Sequence, residues 1–146
     1  MLSKKVLDKL ISTGQCPKCD LSKANLKEAD LHEPNLSGAN LTGADLSGLD
    51  LSKLFFYGAN LNEANLSGTN LNGTFFSEAS LHRVDLSKMD LSKTYLSGAE
   101  LNEANLTGVN LTRANLTGTK LDCAFLCHTK MPDGKENNSG CEKKSK

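Results

Sequence analysis

Five cysteines and three histidines are the residues of this 146-residue chain with the widest chemical reach. Cys16 and Cys19 stand near one end, Cys123, Cys127, His128 and Cys141 near the other, with His32 and His82 between them. Thiols and imidazoles can hold a metal, pair as disulfides or act as nucleophile and base. Cys16-x-x-Cys19 alone offers two of the four ligands that a structural zinc requires. Cys123, Cys127, His128 and Cys141 supply four donors, but their spacing has no distinctive pattern, so no metal ion is expected. Serines are abundant without a base placed beside any of them, and nine of the twelve glycines follow a five-residue period instead of forming a phosphate-cradling loop. The chain is therefore read as having no catalytic group, no cofactor and no small-molecule substrate.

The elements that carry these residues are dictated by one repeat. Leu21, Leu26, Leu31, Leu36, Leu41 and every fifth residue through Leu126 are apolar, giving twenty-two pentads without an insertion. All have Leu at that place except Phe56 and Phe76. Two places earlier the residue is small or apolar, and one place earlier it is Asn or Asp in fifteen pentads, as in Ala39-Asn40-Leu41-Thr42-Gly43. A period of five fits neither the helix nor the strand repeat. The chain must turn once per pentad, wrapping a square coil of four pentads in which residue n sits under residue n+20. Gly two places after Leu suits the positive-φ position of a type II turn. Coils stacked at strand spacing give about five and a half turns, a prism roughly 26 Å long.

Such a stack has two open ends. Ser3 to Thr13, with Leu2 just before it, places Leu2, Val6, Leu7, Leu10 and Ile11 at helical spacing and stops at Gly14, which predicts an N-terminal capping helix over 1–14. The β-helix is assigned to 15–130. Beyond it, Met131-Pro132-Asp133-Gly134 is a turn signal, and 131–146 is read as an irregular C-terminal cap ending in a polar stretch, disordered in part.

Tandem Ala-Asn/Asp-Leu-Ser/Thr-Gly from Asp20 to about Cys127 resembles the pentapeptide-repeat family. The flanks Gln15-Cys16-Pro17-x-Cys19-Asp20-Leu21 and Leu126-Cys127-His128-Thr129-Lys130-Met131-Pro132-Asp133-Gly134, with Asn137-Asn138-Ser139-Gly140-Cys141, resemble the ends of its cyanobacterial and chloroplast-lumen members. The resemblance implies an all-β solenoid, a right-handed quadrilateral β-helix, in a branch with no known reaction. It also singles out Cys127 and Cys141 as a disulfide pair; closing that fifteen-residue loop is worth roughly 3 kcal/mol on chain entropy. The two cysteine groups lie about five coils, roughly 25 Å, apart, so they cannot share one zinc. Cys19 falls on an inward place, where it reads as a buried thiol or a local staple with Cys16.

Folding the sequence into columns twenty residues apart exposes an irregularity. The outward place before Leu reads Asn35, Phe55, Phe75, Tyr95, Asn115 on one face, with Tyr57 beside it. Such rings either support one another and the inward Phe56 and Phe76 or form a patch for a protein partner or for self-association. Glu63, Arg83 and Glu103 stack as an alternating charge ladder, while His32 and His82 stand on different faces and cannot pair.

Composition narrows the function further. Seventeen basic against seventeen acidic residues give no field to steer a polyanion, so nucleic acid is excluded as a partner. No apolar run spans a bilayer, and Asp8 and Lys9 interrupt the opening Met1 to Ile11 where a signal peptide needs apolar residues. No membrane association is expected. The location is cytoplasmic if Met1 is the native start, and thylakoid lumen or periplasm if a targeting segment was removed. The function read from these features is a non-catalytic scaffold presenting a rigid protein-interaction surface. The alternatives are a DNA-mimic modulator of DNA gyrase, which needs a denser acidic surface than this Asn-diluted one, and a thiol- or disulfide-responsive module.

Overall fold

The computed structural model describes residues 4–26 and 35–141. Leu31, His32 and Ser3, together with the side chains of Leu2, Val6, Leu7 and Ile11, lie outside what is described, as does the tail beyond Cys141. Helix α1 spans Lys4–Thr13. Gly14 ends it in the left-handed region (φ 68°), its N–H donating to the Leu10 carbonyl at 2.8 Å.

From Gln15 onward the described residues wind with the period of twenty. Parallel bridges join Gln15 to Asn35, Asn35 to Phe55, Phe55 to Phe75, Phe75 to Tyr95 and Tyr95 to Asn115 on one face; the same spacing recurs on the others, for example Asn40 to Asn60 and Asn110 to Lys130. Each bridge is a pair of amide bonds: Leu41 N–H donates to Asn60 C=O at 2.7 Å, and Asn60 N–H to Ala39 C=O at 2.9 Å. Extended strands do not develop, because the chain turns again before a second residue can pair. Among the described residues the only strands longer than a bridge are β1 (Thr129–Lys130), which is still part of the last coil, and β2 (Glu136–Asn137), which pairs antiparallel with it from beyond the coil pattern.

The corners explain the rest of the pentad. Ala44 N–H returns to Leu41 C=O at 2.9 Å, a turn whose second central residue, Gly43, has φ 68°. That place is left-handed even where it is not glycine: Lys18, Lys53, Glu63, Arg83 and Arg113 have φ between 59° and 66°, at a cost of roughly 1–2 kcal/mol each relative to ordinary backbone. The Asn or Asp before Leu serves the opposite side of the corner. Asp50 Oδ1 accepts the Ser52 N–H at 3.0 Å and the Ser52 hydroxyl at 2.6 Å, and Asn110 does the same for Thr112. Ser or Thr after Leu is thus the partner of the carboxylate or amide before it.

Through the middle of the prism the Leu column is sealed. Leu41, Leu46, Leu51, Phe56 and Leu61 have no exposed surface, and Ala39, Ala44 and Ala59 fill the places two before them. Where Thr replaces Ala the hydroxyl is satisfied by backbone: Thr74 donates to Leu51 C=O at 2.9 Å and Thr129 to Leu106 C=O at 2.7 Å. The register extends beyond the twenty-two pentads of the sequence reading, since Cys16 occupies a Leu place and is fully buried.

Candidate functional site

Two places on the prism hold side chains that the pentad logic does not require. The first is the aromatic column. Phe55 and Phe75 stack with ring centroids 4.8 Å apart and planes 13° from parallel, and Phe75 and Tyr95 at 4.6 Å and 7°. The spacing is that of one coil, so each ring rests on the one below. Phe55 is 50% exposed, Tyr95 45% and Tyr57 59%. Behind them Phe56 and Phe76 stack inside the core at 5.3 Å. The corner that precedes this face carries Lys53, Lys93 and Arg113, all exposed, so a basic edge runs along one side of the rings. Phe125 is a further exposed ring, at 47%, on a different face and apart from the column; the sequence reading passed over it because it stands alone in its column.

The second place is the C-terminal loop. Disulfides join Cys16 to Cys19 and Cys127 to Cys141, with Cα separations of 5.3 and 4.8 Å, and Cys123 is a free, exposed thiol. Cys16–Cys19 clasps one corner: Pro17 and Lys18 are its central residues, Lys18 has φ 62°, and Cys19 N–H donates to Cys16 C=O. Cys127–Cys141 pins the segment after the turn at Met131 to Gly134, where Gly134 N–H donates to Met131 C=O at 2.8 Å. Of the stretch 135–146, read from composition as disordered in part, the described residues 135–141 are folded against the prism. The β1–β2 ladder and Gly140 N–H to Leu126 C=O at 2.7 Å hold them against the last coil.

His128 belongs to that loop. Its Nδ1 lies 2.8 Å from Glu136 Oε2, and its backbone N–H donates to Asn138 Oδ1 at 2.7 Å. Bonding to His128 and Asn138 holds the Glu136 carboxyl below the usual range. A ring nitrogen of His128 and the sulfurs of Cys127 and Cys141 lie within 4.8 Å of one another. Cys123, the fourth member of the set considered from spacing, is not in that group. Sequence alone could not bring Glu136 to His128, because their contact depends on the tight reversal between β1 and β2.

The remaining charges are solvated. Arg83 reaches Glu103 at 2.7 Å and Glu63 at 3.5 Å, all three largely exposed, and the Glu103 bond chiefly raises its pKa; pairs of this kind add little to stability. His82 lies 3.4 Å from Glu100, one coil on. Shallow grooves run over these walls, one of them lined by Glu63, Arg83, Asp85 and Met89.

The bridges, corners and inward Leu column define the class: a β-helix wound from pentads. The chain belongs to the pentapeptide-repeat family, whose model matches residues 19–53, 59–98 and 94–131, and the family's solved members imply a right-handed winding. The pentapeptide-repeat protein Rfr23 from the cyanobacterium Cyanothece is 30% identical over 82% of this chain and 92% of its own, with a TM-score of 0.51. HetL of the cyanobacterium Nostoc, a protein involved in heterocyst differentiation regulation, is 20% identical over 94% and 100%, with a TM-score of 0.43. A pentapeptide-repeat protein of the Arabidopsis thaliana thylakoid lumen is 22% identical over 84% and 72%, with a TM-score of 0.33. No curated protein matches the chain at a significant level.

Proposed function

We propose that this chain is a non-catalytic scaffold whose aromatic column is a docking face for another protein. The observation that carries the reading is the stacked ladder of exposed Phe55, half-buried Phe75 and exposed Tyr95, with exposed Tyr57 beside it, on a prism whose outward places before Leu are mostly Asn or Asp. Asn or Asp at that place caps the next corner; a ring forgoes the cap and adds exposed apolar surface, which a covering partner would turn into binding energy. Lys53, Lys93 and Arg113 along one edge favour a partner with acidic residues flanking an apolar centre. The organisation that goes with this reading is a helical cap over 1–14, a prism of about five and a half coils over 15–130 and a cap over 131–146. Two disulfides fit an oxidising compartment such as a lumen or periplasm better than a reducing one.

Converting Phe55 and Phe75 to Asn, the residue neighbouring coils use there, tests the docking face. The double variant is expected to keep its circular dichroism melt while losing capture of its partner from the native source. Unfolding would make the rings structural, and unchanged association in both capture and analytical ultracentrifugation would refute the docking face. Loss of a dimer in the ultracentrifuge, without any captured protein, would assign the face to a second copy.

A further inference from the structure

The Cys127–Cys141 loop carries more than a covalent pin needs. We propose that reduction of this disulfide by a dithiol converts the loop into a site for a thiophilic divalent cation of the Zn²⁺ type, bound by the Cys127 and Cys141 thiolates and the His128 imidazole. The reduction takes two electrons and two protons from the dithiol, which leaves as its own disulfide. The ion then displaces the two thiol protons, and water takes the fourth position.

Three features support this assignment. A ring nitrogen of His128 and the sulfurs of Cys127 and Cys141 already lie within 4.8 Å of one another. Tetrahedral zinc, with Zn–S near 2.3 Å and Zn–N near 2.0–2.1 Å, needs ligand atoms roughly 3.3–3.8 Å apart, so the sulfurs have to separate by only about 2 Å. The loop is also shaped by bonds that survive reduction: the Thr129–Asn137 and Lys130–Glu136 pairings, Gly140 N–H to Leu126 C=O, and His128 N–H to the Asn138 side chain. The entropy of bringing the ligands together is therefore met mainly by backbone. Finally, Glu136 stands 2.8 Å from His128 Nδ1, the carboxylate–imidazole arrangement that fixes a ligating histidine's ring and leaves Nε2 free for a metal. His128 and Glu136 are solvent-accessible, with side chains 70% and 52% exposed, so an ion can reach the site. Cys16 and Cys19 form no comparable group: among the described residues no other three such donors converge. Oxidised, the loop is a staple; reduced, it is a ligand set, and the two states exclude each other.

The test uses the full chain with Cys16, Cys19 and Cys123 changed to Ala, reduced by a phosphine under anaerobic conditions and titrated with Co²⁺. The reduced protein is expected to develop thiolate-to-cobalt charge-transfer and tetrahedral ligand-field bands that saturate at one ion per chain and vanish on adding Zn²⁺. The oxidised protein should show neither. His128→Ala, which keeps the disulfide and so reports its own folding before reduction, should weaken binding by more than about tenfold, and Glu136→Gln by about tenfold. Absence of the bands in the reduced protein, or binding by His128→Ala as tight as by the parent, would overturn the site.

Discussion

The two ends of the prism are finished by different means. At the N-terminal end Cys16, Leu21 and Leu26 have no exposed surface, and Leu10 of α1, 1% exposed, belongs to the same continuous core. At the other end Leu116, Leu121, Leu126 and Met131, which occupy the same inward places, are only partly buried. The residues are alike and the places are alike; the difference is what lies on the outer side. Stacking in a solenoid is nearest-neighbour, so a terminal coil has one neighbour fewer unless another element supplies it. A helix brings an apolar side chain into that position, whereas a polar loop brings hydrogen bonds and a disulfide. Burial at the first end is hydrophobic, and order at the second rests on backbone hydrogen bonds pinned by one disulfide.

Substitution at inward places tests this contrast most strongly. Leu66→Asp, in the middle of the stack, is expected to cost at least about 4 kcal/mol, through lost packing and a buried charge. Leu126→Asp should cost less than half as much, and Ser67→Asp, on the outside, within about 0.5 kcal/mol. Denaturant titration of the three variants measures the series. Equal losses for Leu66→Asp and Leu126→Asp would erase the distinction between middle and end.

Removing each disulfide in turn comes next in size. On chain entropy, loss of Cys127–Cys141 should cost about 3 kcal/mol and loss of the four-residue Cys16–Cys19 clasp about 2 kcal/mol. Hydrogen exchange should sharpen the difference. Without Cys127–Cys141 the amides of 135–141 should lose protection first, while those near Cys16 stay protected by the buried core when their own clasp is removed. Simultaneous loss of protection at both ends in either variant would show that the ends are not independent.

Acid gives the smallest effect. Hydrogen bonds from Ser52 and Ser92 lower the carboxyls of Asp50 and Asp90, as Ser22 lowers that of Asp20. A depressed carboxyl contributes stability that is complete above its unfolded value and is lost as pH falls through the folded one. The melting temperature should therefore hold from neutrality to about pH 5 and decline below about pH 4. Asp50→Asn with Asp90→Asn, matching the Asn already present at 70 and 110, should flatten that decline without moving the neutral value by more than a degree or two. A steeper decline in the double variant would place the acid-sensitive groups elsewhere, with Glu136 at the C-terminal loop the first to examine.

How far the chain could be understood beforehand follows from the range of its interactions. The period, the fourfold coil and the aromatic column depend on spacings of five and twenty, and both are visible in the sequence. The reason Asn and Asp precede Leu was less visible, because it lies in a bond from the Ser52 or Thr112 amide that only the turn creates. Glycine looked like the mark of the corner, yet Lys53 and Arg83 adopt the same left-handed backbone; neighbouring bonds impose the conformation and glycine only eases it. Cys16 was not counted in the register although it is buried as deeply as any Leu, since a thiol does not look like a core residue beside Pro17. The His128–Glu136 contact was out of reach, because it follows from a hairpin whose second strand lies outside the repeat.

The period of twenty also makes the prism an indexing device. Five extra residues inserted between Leu66 and Leu71 would leave every Leu pointing inward and every corner able to form, yet would advance all later faces by one side. Phe75 and Tyr95 would then stand on the wall next to the one that holds Phe55, and the ladder would be cut while the core remained whole. Twenty extra residues would restore the alignment and lengthen the prism by one coil, placing a new residue between Phe55 and Phe75. In such a chain, length changes by whole coils preserve the address of each wall, and changes by single pentads rewrite it.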